Sequence, residues 1–213
     1  MTAILEASSI LRRLLLTPVR AGVSILLGGL LTLAAVGANL GGNGSGQIVP
    51  ELITGGLLLI VVPLISLIFA VGALGDLVDD ETMVYLWLKP LPRWQLGIAA
   101  AIATWQFVVP ICVLIAAAVA VGGGESDMLV PAAAACAMAS VAYSSLFIGL
   151  GLRTTRSLLA GLVFVLIWEG FLAGISEGIA TISIRRWSNA LFADLADVRS
   201  SLAPASALSA TVV

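Results

Sequence analysis

Five apolar runs, each long enough to cross a lipid bilayer, constrain this chain more than any other feature. They cover approximately residues 21–40, 52–74, 96–121, 129–151 and 157–184. A bilayer core about 30 Å thick is crossed by about 20 residues of α-helix, and lipid offers backbone groups no water, so such runs are helical. The chain is 60% hydrophobic and only 10% charged, whereas soluble domains are about 25% charged. The sequence therefore predicts an all-α, polytopic integral membrane protein that forms a single transmembrane domain over residues 1–213.

The residues before the first run indicate a helix that lies on the membrane instead of crossing it. A helical arrangement places Ile4, Leu11 and Leu15 on one side and Arg13 on another. A helix with one apolar side binds in the membrane interface. We therefore expect an interfacial helix within residues 1–20, with a cytosolic extension of the first span as the alternative.

The basic residues predict which side of the membrane each loop faces. With the N-terminus in the cytoplasm, seven of the ten basic residues fall on the cytoplasmic side and three on the outer side. Basic residues concentrate in cytoplasmic loops, so the sequence predicts a multi-pass protein of the plasma membrane with a cytoplasmic N-terminus. The seven are Arg12, Arg13, Arg20, Lys89, Arg93, Arg153 and Arg156, and the three are Arg185, Arg186 and Arg199.

A strongly polar stretch at residues 75–94 separates the second and third apolar runs and is cytosolic in this orientation. Its sequence, GDLVDDETMVYLWLKPLPRW, contains four acids, two bases, two prolines and two tryptophans. Either Asp79 or Asp80 can cap a helix that begins near Glu81, because carboxylates bind the free N–H groups of a helix N-terminus. The two prolines would end that helix. We therefore expect a short, capped helix within a cytosolic loop.

Several catalytic chemistries are excluded by the residue types that the chain lacks. It has no histidine, which removes Ser-His-Asp and Cys-His nucleophilic sites and histidine-ligated metals. A phosphate-binding loop needs a Gly-rich run followed by Lys and Ser or Thr, and the only lysine, Lys89, lies in Leu-Lys-Pro. We therefore predict no catalytic residue, no metal ligand and no cofactor in this chain. Cys112 and Cys136 lie in apolar runs and are interpreted as packing residues.

One alternative gives the polar stretch a catalytic role. Asp76, Asp79 and Asp80 could hold Mg²⁺ in an intramembrane enzyme that acts on a diphosphate, because clustered carboxylates bind this ion. Such a site needs a second acidic cluster to complete its set of ligands, and the sequence contains none. The enzyme is therefore the weakest of the functions weighed below.

Residues 79–99, DDETMVYLWLKPLPRWQLGIA, resemble the cytosolic loop of type-2 ATP-binding-cassette (ABC) exporter permeases. In that family an acid, a glycine and a threonine lead into an apolar helix, and Pro-x-x-Arg precedes the third span. The glycine is missing here, and Ala99–Ala101 stand where a lysine often begins the span. The matching residues are the acid and threonine Glu81 and Thr82, the helix residues Leu86, Leu88 and Pro90, and the arginine Arg93.

The resemblance implies a mechanical role for this loop. In the family it forms a short coupling helix that docks on a separate ATPase subunit, and two permeases and two ATPases form the working unit. The implied partners are an ABC ATPase subunit, a second permease copy or homologue and the lipid bilayer, with no nucleic acid. ATP and Mg²⁺ would bind to the ATPase subunit. The residues expected to contact that subunit are Asp80, Glu81, Thr82, Met83, Tyr85, Leu86, Trp87, Pro90 and Arg93.

The resemblance also implies an order of elements along the chain. An interfacial N-terminal helix and two spans precede the coupling loop, and three further spans follow it. In the family short external re-entrant helices follow the fifth span, so we expect residues 177–204 to form an external re-entrant or loop region. A sixth span is expected to be missing or truncated, because the apolar segment after Pro204 is too short to cross a bilayer.

Two acids in the fifth apolar run are candidate functional residues. Glu169 and Glu177 are eight residues apart and lie on broadly the same side of a continuous helix. A carboxylate in lipid is costly, which makes Glu169 a candidate for a functional site, while Glu177 also fits a position near the outer interface. Beside them lies a ladder of small residues that suits close helix packing, formed by Gly170, Gly174 and Gly178.

These observations predict the permease subunit of an ATP-driven exporter, which couples hydrolysis by a partner subunit to substrate translocation and is not itself an enzyme. A non-transporting membrane scaffold, whose cytosolic loop merely binds a partner, is the alternative. The Mg²⁺-dependent enzyme is the third possibility. The exporter differs from the other two in requiring an ATPase partner.

Overall fold

The computed structural model describes residues 17–41, 45–79, 93–154, 157–167 and 183–196. Nearly all of these residues are helical and none of them forms a strand, which confirms the all-α prediction for this part of the chain. Seven α-helices lie in these ranges, together with a π-helical stretch at Leu52–Val61 and a 3₁₀ turn at Ser126–Met128. They are α1 (Pro18–Leu40), α2 (Ser45–Glu51), α3 (Val62–Asp79), α4 (Arg93–Gly122), α5 (Leu129–Gly151), α6 (Ser157–Val163) and α7 (Ile184–Ala196).

Four of the helical segments are long and apolar enough to cross a membrane, which agrees with the first four predicted spans. The fifth predicted span is described only in part: α6 and the π-helical residues 164–167 after it form a shorter apolar helix over Leu158–Ile167. A count of five spans therefore stays a prediction. The four spanning segments are Pro18–Leu40, Ile48–Ala73, Gly97–Gly122 and Ser126–Gly151.

The interfacial helix predicted within residues 1–20 lies mostly outside the described residues. Pro18 occupies the first position of α1, where its missing N–H costs no hydrogen bond and its fixed φ suits a helix. Residues 18–20 thus belong to the first spanning helix. At the other end of α1, the Gly41 N–H donates to the Gly37 carbonyl oxygen at 2.9 Å.

The second span is one continuous helical rod with a change of winding in its middle. Residues Leu52–Val61 are π-helical, and the Val62 N–H donates to the Leu57 carbonyl oxygen, five residues earlier. Pro63 follows at once, and proline cannot donate a backbone hydrogen bond. The backbone hydrogen bonds of the π-helical stretch join residues five positions apart. The last of them comes from Val62, directly before Pro63, which has no N–H to donate. The π-helical stretch thus lies directly before this proline.

α5 lies at the centre of the bundle and packs against α3, α4, α6 and α7. Its buried side is rich in alanine, which lets the neighbouring backbones approach closely. Two of the three largest fully buried side chains among the described residues, Tyr143 and Phe147, also belong to α5, and their rings stack with centroids 6.0 Å apart. The core is therefore built on α5.

α1 has the smallest buried share of the four spanning segments. It approaches the bundle through a glycine contact, because a Cβ atom on Gly28 would lie 2.7 Å from Ile115 Cγ1 of α4. On its other side α1 exposes large apolar residues, among them Leu26, Leu30 and Leu33. In a membrane this exposed side faces lipid or another apolar helix.

Contacts between helix ends show which ends of the four spans lie together. The Arg20 side chain at the start of α1 reaches Gly72 near the end of α3, and a Cβ atom on Gly97 of α4 would lie 3.1 Å from Leu152 Cδ1, just after α5. These contacts mark one end of the bundle, which we call the inner end after the predicted orientation. At the opposite, outer end, the Asn39 Nδ2 group of α1 donates to the Gly122 carbonyl oxygen of α4 at 3.3 Å.

Candidate coupling site and buried polar groups

The candidate coupling stretch, residues 75–94, is framed by two helices that continue beyond their apolar segments. α3 runs to Asp79, five residues past the apolar run predicted at 52–74, and α4 begins at Arg93, three residues before the run predicted at 96–121. The stretch is therefore not all loop: residues 75–79 and 93–94 are helical. No proline occurs within residues 64–79, so every residue of this part of α3 retains a backbone N–H that can donate.

The residues expected to contact an ATPase subunit lie between these two helices. Arg93 is the first residue of α4, which puts it at the inner end. The other eight lie outside the described residues: Asp80, Glu81, Thr82, Met83, Tyr85, Leu86, Trp87 and Pro90. Their contact role stays a prediction.

The acids weighed as Mg²⁺ ligands sit at the end of the second span. Asp76 and Asp79 belong to the last turns of α3, and Asp80 lies outside the described residues. Acidic residues at a helix C-terminus are unfavourable, because the helix dipole is negative there. A cation near this end of α3 would offset that cost.

Arg20 places a cation beside α3 about two turns before Asp79, whereas the sequence assigned this residue only a role in membrane orientation. Its guanidinium group lies against the backbone of Gly72, so that a Cβ atom there would overlap Cζ and both Nη atoms. Gly72 is one helical turn before Asp76. At the Arg20 backbone, the carbonyl oxygen accepts a hydrogen bond from Ser24 Oγ at 2.9 Å. The contact joins residues 52 positions apart, which no local sequence pattern could reveal.

Two of the buried serine and threonine hydroxyl groups in the described spanning helices differ from the others. Ser66 Oγ of α3 and Thr104 Oγ1 of α4 are fully buried and have no hydrogen-bond partner among the described residues. In contrast, Thr32, Thr54 and Ser144 donate to carbonyl oxygens three or four residues earlier in their own helices. A buried hydroxyl without a partner costs about 1–3 kcal/mol. Ser66 and Thr104 are therefore exceptions among the spanning helices.

The two hydroxyls also lie in the same half of the bundle. Ser66 is in the half of the second span that leads to the inner end, and Thr104 is in the half of α4 that begins there. Ser144 lies in the second half of α5, which also ends at the inner end. These three hydroxyl side chains therefore lie in the inner half of the bundle.

The second group of candidate residues lies outside the described part of the chain. Glu169 and Glu177 fall between residue 167 and residue 183, as do the three glycines of the predicted packing ladder, Gly170, Gly174 and Gly178. Their roles stay predictions. The described part of the predicted external region, 177–204, is Ser183 with α7.

α7 docks on the outer half of the bundle. Ser183 precedes it and accepts a hydrogen bond at Oγ from the Arg186 N–H, 3.3 Å away, which satisfies one free donor of the first turn. The helix packs against α5 and against the π-helical stretch Leu52–Val61. Because that stretch belongs to the half of the second span nearer α2, α7 lies toward the outer end.

Both cysteines are buried packing residues, as the sequence predicted. Cys112 of α4 and Cys136 of α5 are unpaired and inaccessible to solvent. Among the described residues, no three His, Cys, Asp or Glu side chains come together in a way that could hold a metal ion. The side chains of Asp76, Asp79 and Asp80 lie outside the described part of the protein.

No protein-family model matches this chain, and no curated protein or solved structure matches it either. The functional interpretation therefore rests on the chain's own residues and on the arrangement of its helices. Residues 75–94 resemble a coupling loop, and the two helices on either side of residues 80–92 end and begin at the inner end of the bundle, α3 at Asp79 and α4 at Arg93.

Proposed function

We propose that this chain is the transmembrane permease subunit of an ATP-driven exporter of the type-2 ABC kind, with ATP hydrolysed by a separate subunit. One observation supports this most: the polar stretch at residues 75–94 is joined directly to two long helices of the bundle. At most 13 residues, 80–92, separate the end of α3 from the start of α4. A force applied to these residues would act on the ends of both helices.

The packing of α3 and α4 supports transmission of such a force into the bundle. Both helices contact α5, which lies at the centre of the core. α4 has 30 residues and so is about 45 Å long, which exceeds a bilayer core of about 30 Å. It therefore tilts in the membrane or extends beyond it. In either arrangement, a displacement of the residues that precede α4 would move the part of α4 that packs in the core. Close-packed interiors respond to displacement as units and not as fluids.

The proposed assembly follows from the same resemblance. The N-terminus and residues 75–94 face the cytoplasm, where an ABC ATPase subunit binds ATP and Mg²⁺ and docks on the stretch. A second permease copy or homologue completes the unit in the plasma membrane. Met83, Leu86 and Trp87 supply an apolar contact set spaced three and four residues apart, which suits a helix that packs into a groove.

The test is retention of the ATPase subunit by single-residue variants. Leu86→Asp and Tyr85→Asp each place a charge in the proposed contact, so the chain should still insert and fold but should lose copurification with the ATPase. Thr154→Asp is the matched control, because Thr154 is exposed in the turn after α5, at the same inner end, and also gains one negative charge. Copurification of Leu86→Asp and Tyr85→Asp at the level of the control would contradict the proposal.

A further inference from the structure

The side chains of α7 divide into three sides around the helix axis. At 3.6 residues per turn, successive residues are about 100° apart. One side faces the bundle and contains the three buried residues Ser188, Asn189 and Phe192, of which Phe192 is among the largest fully buried side chains of the described chain. This side accounts for the contacts with α5 and the π-helical stretch.

The second side of α7 is apolar and partly exposed. It contains Ile184, Trp187, Leu191 and Leu195, which fall within about 80° of one another on the helix. Trp187 is 49% exposed and Leu195 is 50% exposed. An apolar side with two half-exposed residues at the protein surface is stabilised by an apolar environment that covers it.

The third side of α7 is polar or small. It contains Arg186, Ala190, Ala193 and Asp194, and Asp194 is exposed. Only one charged residue of the helix, the half-buried Arg185 of its first turn, lies outside this side. A helix at the surface of a soluble protein needs two sides, one toward the core and one toward water. α7 has a third, apolar side between those two.

We propose that α7 lies along the outer membrane interface and that phospholipid covers its apolar side. Three sides are what such a position requires: one toward the bundle, one toward the acyl chains and one toward water. Trp187 lies at the margin of the apolar side, about 20° from Asp194. Tryptophan is enriched at the headgroup level, where its ring is half in lipid and its N–H is near polar groups.

The neighbours and the length of α7 favour phospholipid over a second protein. The elements on which α7 docks carry exposed apolar residues of their own, Ile60 in the π-helical stretch and Val130 in α5. We expect lipid to cover these residues and the apolar side of α7 alike, because both are exposed apolar surface on packed elements of the bundle. With 13 residues α7 is too short to cross a bilayer but long enough to lie in its interface.

Fluorescence quenching tests this position. Trp187 is one of five tryptophans, and its signal is the difference between the wild type and Trp187→Phe in bilayers of stated composition. The bilayers are phosphatidylcholine with bromine near the headgroup, phosphatidylcholine with bromine near the chain end, or unbrominated phosphatidylcholine with iodide in the water. We expect the shallow bromine to quench the Trp187 signal at least twofold more than the deep bromine or iodide.

The same measurement on a displaced tryptophan provides the control. In the variant Trp187→Phe/Ala190→Trp, the ring moves to the water side of α7, and iodide should quench it more than either brominated lipid. Three results for Trp187 itself would overturn the proposal. Strongest quenching by deep bromine would mean that the segment re-enters the membrane, strongest quenching by iodide would mean exposure to water, and no quenching would mean cover by protein.

Discussion

The guanidinium group of Arg20 lies against the backbone of Gly72, so the start of α1 packs against the inner half of α3. Any larger residue at position 72 would occupy the space that the guanidinium group fills. The contact places a cation beside α3, one turn before Asp76 and about two turns before the last residue of the helix, Asp79. α1 is thereby tied to the helix that leads into residues 75–94, the proposed coupling stretch.

Gly72→Ala should therefore destabilise the bundle through Arg20. The new methyl group displaces the guanidinium group, and we expect the free energy of unfolding to fall by about 1 kcal/mol. Gly149→Ala is the matched control: it introduces the same atom in α5 where nothing lies within 4 Å, and it should leave stability unchanged or slightly raised. Thermal unfolding in detergent measures both variants.

Coupling between the two positions can be isolated by a double-mutant cycle. In an Arg20→Ala background, Gly72→Ala has no guanidinium group to displace and should cost less than in the wild type. The interaction energy should reach at least about 0.5 kcal/mol, as is usual for residues in contact. If the changes in unfolding free energy of the two single variants simply add in the double variant, the position of the Arg20 guanidinium group does not depend on a glycine at position 72.

The outer end of the bundle has a second glycine-dependent contact. Gly124 has a φ of +79°, and the Asn39 side chain of α1 packs beside it. Gly124→Ala forces an L-residue into the left-handed region and should lower the unfolding free energy by about 1–2 kcal/mol. Gly124→Asn should cost less, because asparagine tolerates this conformation. Equal losses for the two variants would mean that the backbone conformation at position 124 does not limit stability.

The unpaired hydroxyl groups in the inner half of the bundle predict whether removing a hydroxyl raises or lowers the free energy of unfolding. If Thr104 Oγ1 has no partner in the membrane-embedded protein, Thr104→Val should raise the unfolding free energy, by up to about 1 kcal/mol. Ser144→Ala is the comparison, because Ser144 Oγ donates to the Ser140 carbonyl oxygen at 2.6 Å, and this variant should not be stabilised. A loss of stability in Thr104→Val would show that the hydroxyl binds a group in the folded bundle.

The two cysteines predict a labelling pattern that checks how α4 and α5 pack. Cys112 and Cys136 are fully buried, and their thiols should not react with a water-soluble maleimide until the protein is denatured. Ser126→Cys supplies the accessible reference, because Ser126 is exposed in the turn before α5. Labelling of the native cysteines at the rate of this reference would contradict the packing of α5 at the centre of the core.

The spans were predictable from sequence because the bilayer fixes their length. The fourth span was expected at about 129–151, and α5 occupies Leu129–Gly151. Long unbroken apolar runs leave few positions where a helix can end, so composition alone locates them to within a few residues. The continuation of α3 through the acidic residues to Asp79 was not expected, since the change in composition at residue 75 resembles the end of a helix.

Features that depend on contacts between distant residues could not be read from the sequence. The π-helical winding before Pro63, the Arg20–Gly72 contact and the three-sided docking of α7 each require the neighbouring helix to be in place. Sequence reasoning assigned Arg20 by its charge alone and treated the region after residue 177 as re-entrant by resemblance. Local patterns give the amphipathic period of a helix, but they do not identify what each side contacts.

The central claim is that residues 75–94 receive the action of an ATP-hydrolysing subunit. Its most direct test is purification of the tagged full chain from its native membrane, with the subunit stoichiometry and the ATP hydrolysis of the product measured together. The proposal predicts an equal number of permease and ATPase subunits in the purified product. ATP hydrolysis should be present when the tagged wild-type chain is purified and absent when the tagged Leu86→Asp variant is purified. A chain that purifies without any ATP-hydrolysing partner, or one whose Leu86→Asp variant retains the same partner and hydrolysis, would contradict it.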